Sequence, residues 1–227
     1  MFFEKSKCPI DKRLANFPNF VRRQTIARFL AYHEMFKRQI NIKGSIVECG
    51  VHNGGGVMAW AKLSSTLEPY NYHRKIIGFD TFAGFPTVSE VDKTNPVVKE
   101  GMFGEEYDVY GELSELIKEY DENRFISHIP KVELVKGDAN ITIPAYISNN
   151  KHLIISLLML DFDIYEPTAT ALKHFLPRMP KGAILVFDEL NNHDWPGETQ
   201  ALLEQLNINQ HRIECFEFEP NISFIQL

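Results

Sequence analysis

Three carboxylates are placed to do chemistry together. Asp161 stands in Leu158-Met-Leu-Asp-Phe-Asp-Ile-Tyr-Glu-Pro167, and the pair Asp188-Glu189 closes Ile184-Leu-Val-Phe-Asp-Glu189, 27 residues after Asp161. Each follows a short apolar run that reads as a buried strand, so adjacent strands would deliver all three to one edge of a sheet. Converging carboxylates repel and raise each other's pKa unless a cation sits among them. Oxygen-only ligands suit a hard divalent ion, Mg²⁺ or Mn²⁺. Helix caps and solvated loop acids are the plainer reading of the same residues.

A second group surrounds a glycine loop, Glu48-Cys-Gly50-Val-His-Asn53-Gly54-Gly55-Gly56, at a strand end that opens a helix. Glycines there let the backbone bend sharply and let a ligand approach main-chain N–H groups. The pattern is not the G-x-G-x-x-G that seats a pyrophosphate. A carboxylate before the loop suits an ammonium group, which favours a nucleoside carrying an amino acid, S-adenosylmethionine, over a dinucleotide. Asp80, at the next strand end, can accept from ribose hydroxyls, and Asp138 in Gly137-Asp138-Ala139 from an adenine amino group. A lone Asp at such a place is commonly a turn former. Three acids at the carboxyl ends of successive strands point instead to the ligand-binding edge of an open parallel sheet.

The elements that must position these groups alternate. Ser45–Cys49, Lys75–Asp80, Val132–Val135, Leu153–Leu160 and Ala183–Phe187 read as strands. Gly54–Ser65, Glu112–Glu119 and Pro167–Leu176 have helical spacing, and two further strands lie between Arg212 and Leu227. The expectation is an α/β, doubly wound, Rossmann-like fold: a mostly parallel seven-stranded sheet with a C-terminal antiparallel hairpin and helices on both faces, in a single domain over 1–227. Ile26, Phe29, Leu30, His33, Phe36 and Ile40 mark an amphipathic helix whose other side would carry Arg22, Arg23, Arg28, Lys37 and Arg38. Residues 1–43 hold ten basic and three acidic side chains. This basic segment is a solvated helix, or one that holds an anionic ligand or a neighbouring subunit. Residues 86–110, with six acidic and two basic side chains, lack periodicity and read as a loop or a lid. Phe103, Tyr107 and Tyr110 in it could stack on a ligand ring or pack beneath the loop.

Composition narrows the classes further. A net charge of −6 over 227 residues argues against a nucleic-acid binder. The longest strongly apolar run has eight residues, Leu153–Leu160, too short for a membrane span. Three scattered cysteines and no apolar leader fit a reducing, cytoplasmic setting.

The pieces VECGVHNGGG, FDTFAGFP, GDA, LDFDIYEPTATALKHFLPRMPKG and VFDEL, in this order over residues 45–190, resemble the macrocin O-methyltransferase family. Those enzymes use S-adenosylmethionine and Mg²⁺ to methylate sugar hydroxyls in macrolide and aminocoumarin biosynthesis. The resemblance implies that Glu48, Gly50, Gly54 and Asp80 hold the methionine and ribose parts of the cofactor, with Asn53, Gly55, Thr81 and Phe82 beside them and Asp138 and Ala139 at the adenine. It implies a metal on Asp161, Asp188 and Glu189, a small-molecule acceptor with a sugar hydroxyl, and a homo-oligomer, a dimer or larger. The family usually has two consecutive aspartates where this chain has Asp188-Glu189. Residues 190–197 also differ from the segment that borders the acceptor in the antibiotic enzymes.

Asp161 is the first candidate for general base and His193, five residues beyond Asp188, the second. His52 reads as a positioning residue. A catechol or another small hydroxylated metabolite is an alternative acceptor. An NAD-dependent oxidoreductase of the same fold and a non-catalytic methyltransferase-like binding module are the rival functions.

Overall fold

Strands β1 (Ser45–Cys49), β2 (Ile76–Asp80), β3 (Val132–Lys136), β4 (Ile155–Leu160) and β5 (Ile184–Phe187) run parallel, joined by β6 (Ile213–Phe216) and β7 (Glu219–Gln226). The computed structural model describes residues 2–227 and orders the strands β3-β2-β1-β4-β5-β7-β6, with β7 antiparallel to both neighbours. β1, β4 and β5 are buried along their whole length. A strand covered on both faces has no solvent side, so it reads as an unbroken run rather than an alternation.

Before the sheet come α1 (Phe2–Lys5), α2 (Ile10–Ala15) and α3 (Arg23–Gln39); after it begins come α4 (Gly55–Leu67), α5 (Val109–Glu122), α6 (Ala139–Asn149), α7 (Tyr165–Phe175) and α8 (Gly197–Gln205). Alternate residues of one strand serve opposite faces. Ile46, Met159 and Val186 join a core with Phe36 of α3, Trp60 of α4 and Leu113 of α5. Val47, Leu158 and Leu185 join another with Ile143 of α6, Phe175 of α7 and Leu202 of α8. Among the described residues, no helix is long and apolar enough to cross a membrane.

The expected seven strands form, and two helices appear that the periodicity does not announce. α6 contains Pro144, and α8 begins with Pro196-Gly197 and is half polar. The N-terminal helix forms as expected with a different inner face. Ala27, Ala31, Met35 and Phe36 are buried, whereas Phe29 and Leu30 are exposed. Small alanines let α3 lie close to the core, and a hydrophobic pattern weighted by large side chains misses that face. The same rotation turns Arg28 inward.

Residues 86–110 carry one 3-10 turn, Asp92–Thr94, before α5 begins at Val109. The segment is tied to the rest: Asp92 is 2% exposed, and its carboxylate accepts from Ser89 Oγ at 2.6 Å and from the Tyr165 N–H at 3.0 Å. α7 has no side-chain cap of its own at Ile164, so Asp92 acts as one. At the amino-terminal edge of the sheet the buried Arg74 bonds Gln39 Oε1, Ser156 Oγ, the Gly44, Ile40 and Ile42 carbonyls, and Glu68.

Candidate active site

Strand order reverses between β1 and β4, which leaves a crevice at their carboxyl ends. A cleft of about 290 Å³ opens there, bounded by Gly50 and His52 after β1, Asp80–Phe82 after β2, Asp138 and Ala139 after β3, and Asp161–Ile164 after β4. Residues 84–86 and 102–105 of the loop form its outer wall. Four non-glycine residues of this lining have positive φ: His52, Phe82, Phe103 and Asp163. Such strain persists only where surrounding contacts over-determine it, and it gathers at sites.

Gly50 has φ +90°, and a Cβ there would lie 1.9 Å from the Asp161 carbonyl oxygen. No other residue lets this loop cross the end of β4. Gly54 caps α4 at φ +81° against Leu113, while Gly55 faces open space. Asp80 accepts from the Val51 and His52 N–H groups at 2.7 and 2.8 Å and from the Phe82 N–H at 2.7 Å. Its carboxylate therefore locks two loops together, and Oδ1, which accepts one bond against two at Oδ2, keeps a lone pair for a hydroxyl donor. Asp138 caps α6 by accepting from the Asn140 N–H at 2.9 Å and also faces the cleft, so capping and lining are compatible roles.

Several expected residues lie elsewhere. Glu48 is 3% exposed and does not border the cleft; its oxygens accept from Val57 N at 3.1 Å and Trp60 Nε1 at 2.7 Å. Burial pushes its pKa up to about 8, against the lowering effect of Trp60. It anchors α4 beneath the glycine loop. Asn53 bridges to the outer wall, donating to Glu105 Oε1 at 3.1 Å and accepting from Tyr107 OH, and it does not border the cleft either. The His193 side chain is 99% exposed, lies 3.4 Å from Asp194 and does not border the cleft. Tyr110 packs on Phe82 with ring centroids 5.3 Å apart, and of Phe103, Tyr107 and Tyr110 it is Phe103 that borders the cleft. Phe103, singled out in the sequence, clusters with Phe85 and Trp195, which were not, and the three rings lie within 5.4–6.3 Å of one another.

The acidic end is the largest departure. Asp161 and Asp188 do converge, at the ends of β4 and β5, but a guanidinium lies between them. Arg28 Nη2 donates to Asp161 Oδ2 and Nη1 to Asp188 Oδ1, both at 2.8 Å, and Nε donates to Tyr32 OH at 2.9 Å. Glu189 turns to Asn192, whose Nδ2 donates to it. Among the described residues, no three carboxylate, imidazole or thiol groups converge as metal ligands do. Burial, then the charge of Asp188, raise the Asp161 carboxyl well above the usual range against the pull of Arg28. Burial, then Glu189 and Asp188, push Asp163 up to about 7. Glu198, 0% exposed, accepts from the Glu189 N–H at 3.0 Å and is raised by burial and Asp163.

A doubly wound sheet in this strand order, with a glycine loop after β1 and acids after β2 and β3, defines a methyltransferase that takes its methyl from S-adenosylmethionine. The macrocin-O-methyltransferase (TylF) family matches residues 21–211, and the chain belongs to that family. It is similar to the calicheamicin methyltransferase CalS11, with 32% identity, a TM-score of 0.95, and coverage of 99% of this chain and 88% of that one. An apo structure of CalS11, described as a TDP-rhamnose 3'-O-methyltransferase, matches at 28% identity and TM-score 0.86 over 99% of this chain and 89% of that one. The O-methyltransferase NovP shares the fold, with 20% identity and TM-score 0.67 over 88% of this chain and 79% of that one. A comparison with curated protein sequences finds no match. The oxidoreductase and the non-catalytic module are thereby set aside.

Proposed function

We propose that this O-methyltransferase acts on a sugar hydroxyl, with Asp161 as the general base. The observation that carries this is Asp161 itself: it borders the cofactor cleft, its carboxyl is raised in pKa, and Arg28 fixes its orientation. The sugar acceptor is supported by the likeness to CalS11, whose described acceptor is TDP-rhamnose. The basic N-terminal segment reaches the same edge of the sheet through Arg28.

The donor set around the cleft fits S-adenosylmethionine: Asp80 for the ribose hydroxyls, Asp138 and Ala139 toward the adenine, and Gly50, Thr81 and Phe82 along the chain between. When bound, it supplies an electrophilic methyl on a sulfonium. Phe162, Ile164 and Pro167 exclude water from the acceptor, and the Asp161 carboxylate takes the hydroxyl proton as the oxygen gains the methyl. For Mg²⁺ or Mn²⁺ the oxygen chemistry is right, but the arrangement does not fit. Arg28 fills the space between Asp161 and Asp188, and Glu189 faces Asn192. A cytoplasmic location agrees with three free cysteines, and an oligomer agrees with the exposed Ile10, Leu14 and Phe17.

The test is calorimetric titration with S-adenosylhomocysteine, then incubation with S-adenosylmethionine and a panel of nucleotide sugars and catechols read by mass spectrometry. Methylation of a sugar supports the reading. Methylation of catechols alone, or no homocysteine-adenosine binding, overturns it.

A further inference from the structure

The position of Arg28 asks what the acidic end does with cations. Its guanidinium spans two carboxylates from different strands at equal distances of 2.8 Å, while Nε is held by Tyr32 OH. Tyr32 packs on Trp60 with ring centroids 4.5 Å apart, and Trp60 donates to Glu48. One line of contacts therefore runs from the glycine loop through α4 and α3 to the carboxylate pair. Burial opposes the guanidinium's charge, but Tyr32, Asp188 and Asp161 outweigh it and keep Arg28 cationic.

Charge around this one cation is not balanced. Arg28 bonds Asp161 and Asp188, while Glu189 accepts from Asn192 and Glu198 from the Glu189 N–H. Glu198 is fully buried, and its Oε1 has no hydrogen-bond partner. A single positive charge satisfies two of these groups and leaves the others strained. The end of the cleft thus has an unmet demand for positive charge and an occupant where that charge would enter.

A guanidinium and a divalent ion cannot share the place. Arginine is a planar fork of donors with no vacant coordination position. A hard ion needs carboxylate oxygens at about 2.0–2.6 Å from one centre. We propose that Arg28 is the resident cation of this site: it holds Asp161 and Asp188 as an ion pair, and a divalent ion binds there only by displacing it. Metal affinity is then set by how firmly α3 docks on the sheet, and the basic N-terminal helix is a competitor of the metal.

The inference uses the proposed function only to locate the site, and its test reads metal alone. Mn²⁺ is titrated into wild type, Arg28→Met and Arg28→Lys, with free Mn²⁺ followed by electron paramagnetic resonance. The expected result is binding roughly tenfold or more tighter in Arg28→Met than in wild type, with Arg28→Lys close to wild type because it restores the cation. Equal affinity in wild type and Arg28→Met, weaker binding in Arg28→Met, or no binding in either overturns the proposal. Should Arg28→Met not fold, Arg28→Gln gives the same comparison, since it removes the charge and keeps one neutral donor. S-adenosylhomocysteine calorimetry on each protein reports whether the cleft is intact. Its failure in wild type counts against the cofactor assignment and leaves the Mn²⁺ comparison standing.

Discussion

Two arginines, one at each edge of the sheet, show how differently the same side chain is used. At the amino-terminal edge Arg74 bonds three main-chain carbonyls, Gln39, Ser156 and Glu68, and is 3% exposed. Burial there lowers its pKa, partly offset by Glu68. At the carboxyl edge Arg28 has two carboxylates and a phenol, and its side chain is 33% exposed. Arg74 holds main-chain carbonyls at the foot of the sheet, and a carbonyl buried without a donor costs about 1–3 kcal/mol. Arg28 holds carboxylates that a metal ion or protons can also satisfy. The first is a bolt, the second a counter-ion that can be exchanged.

The contrast breaks most visibly if Arg74 is removed. Arg74→Met should cost about 3–5 kcal/mol of stability, because one loss leaves the buried Glu68 charge without its cation and removes a donor from the Gly44, Ile40 and Ile42 carbonyls. Urea denaturation measures it, and a loss below about 1 kcal/mol would make Arg74 no more than another surface contact. Asp161→Asn tests the other edge: turnover should fall by about a hundredfold to ten-thousandfold with S-adenosylhomocysteine affinity unchanged. Equal loss of both would make Asp161 a structural residue.

Glu48 gives a third, smaller effect with a definite sign. Its folded pKa of about 8 lies above the usual 4.5, so the folded state binds more protons than the unfolded one between those values. Stability contributed by the protonated carboxyl is full at low pH and falls as pH rises through that window, by up to about 1.4 kcal/mol per unit. Glu48→Gln should flatten this slope in urea midpoints measured from pH 5 to 8 and leave cofactor binding intact. An unchanged slope would assign it to other groups. The smallest effect is expected at Gly55, where an added Cβ meets nothing within 4 Å. Gly55→Ala should be neutral or stabilising by up to about 1 kcal/mol, whereas Gly54→Ala must force a Cβ to 2.5 Å from Leu113 at φ +81° and should destabilise.

The sheet was legible because its central strands are buried on both faces and leave continuous apolar runs in the sequence. The loop glycines and Asp80 were legible because strand ends in a parallel sheet are where ligands bind. Arg28 was not: a charged residue on an amphipathic helix looks solvated, and the alanines that reveal which side of α3 faces in carry little hydrophobic signal. The anchoring of Glu48 was not legible, because a sequence does not show that Trp60, twelve residues on, brings an indole N–H beneath it. His193 followed a strand end at a suggestive distance, yet the turn after Glu189 throws it outward. Pro144 concealed α6 by resembling a helix stop.

The Asp92 carboxylate, lent by the loop over the cleft to the first N–H of α7, makes that amide a clock. While the loop lies in place the Tyr165 hydrogen is protected; when it lifts, the hydrogen meets water and exchanges. Its exchange rate reports how often that hydrogen bond breaks, without substrate or label, in a residue two positions from Asp163 and four from Asp161.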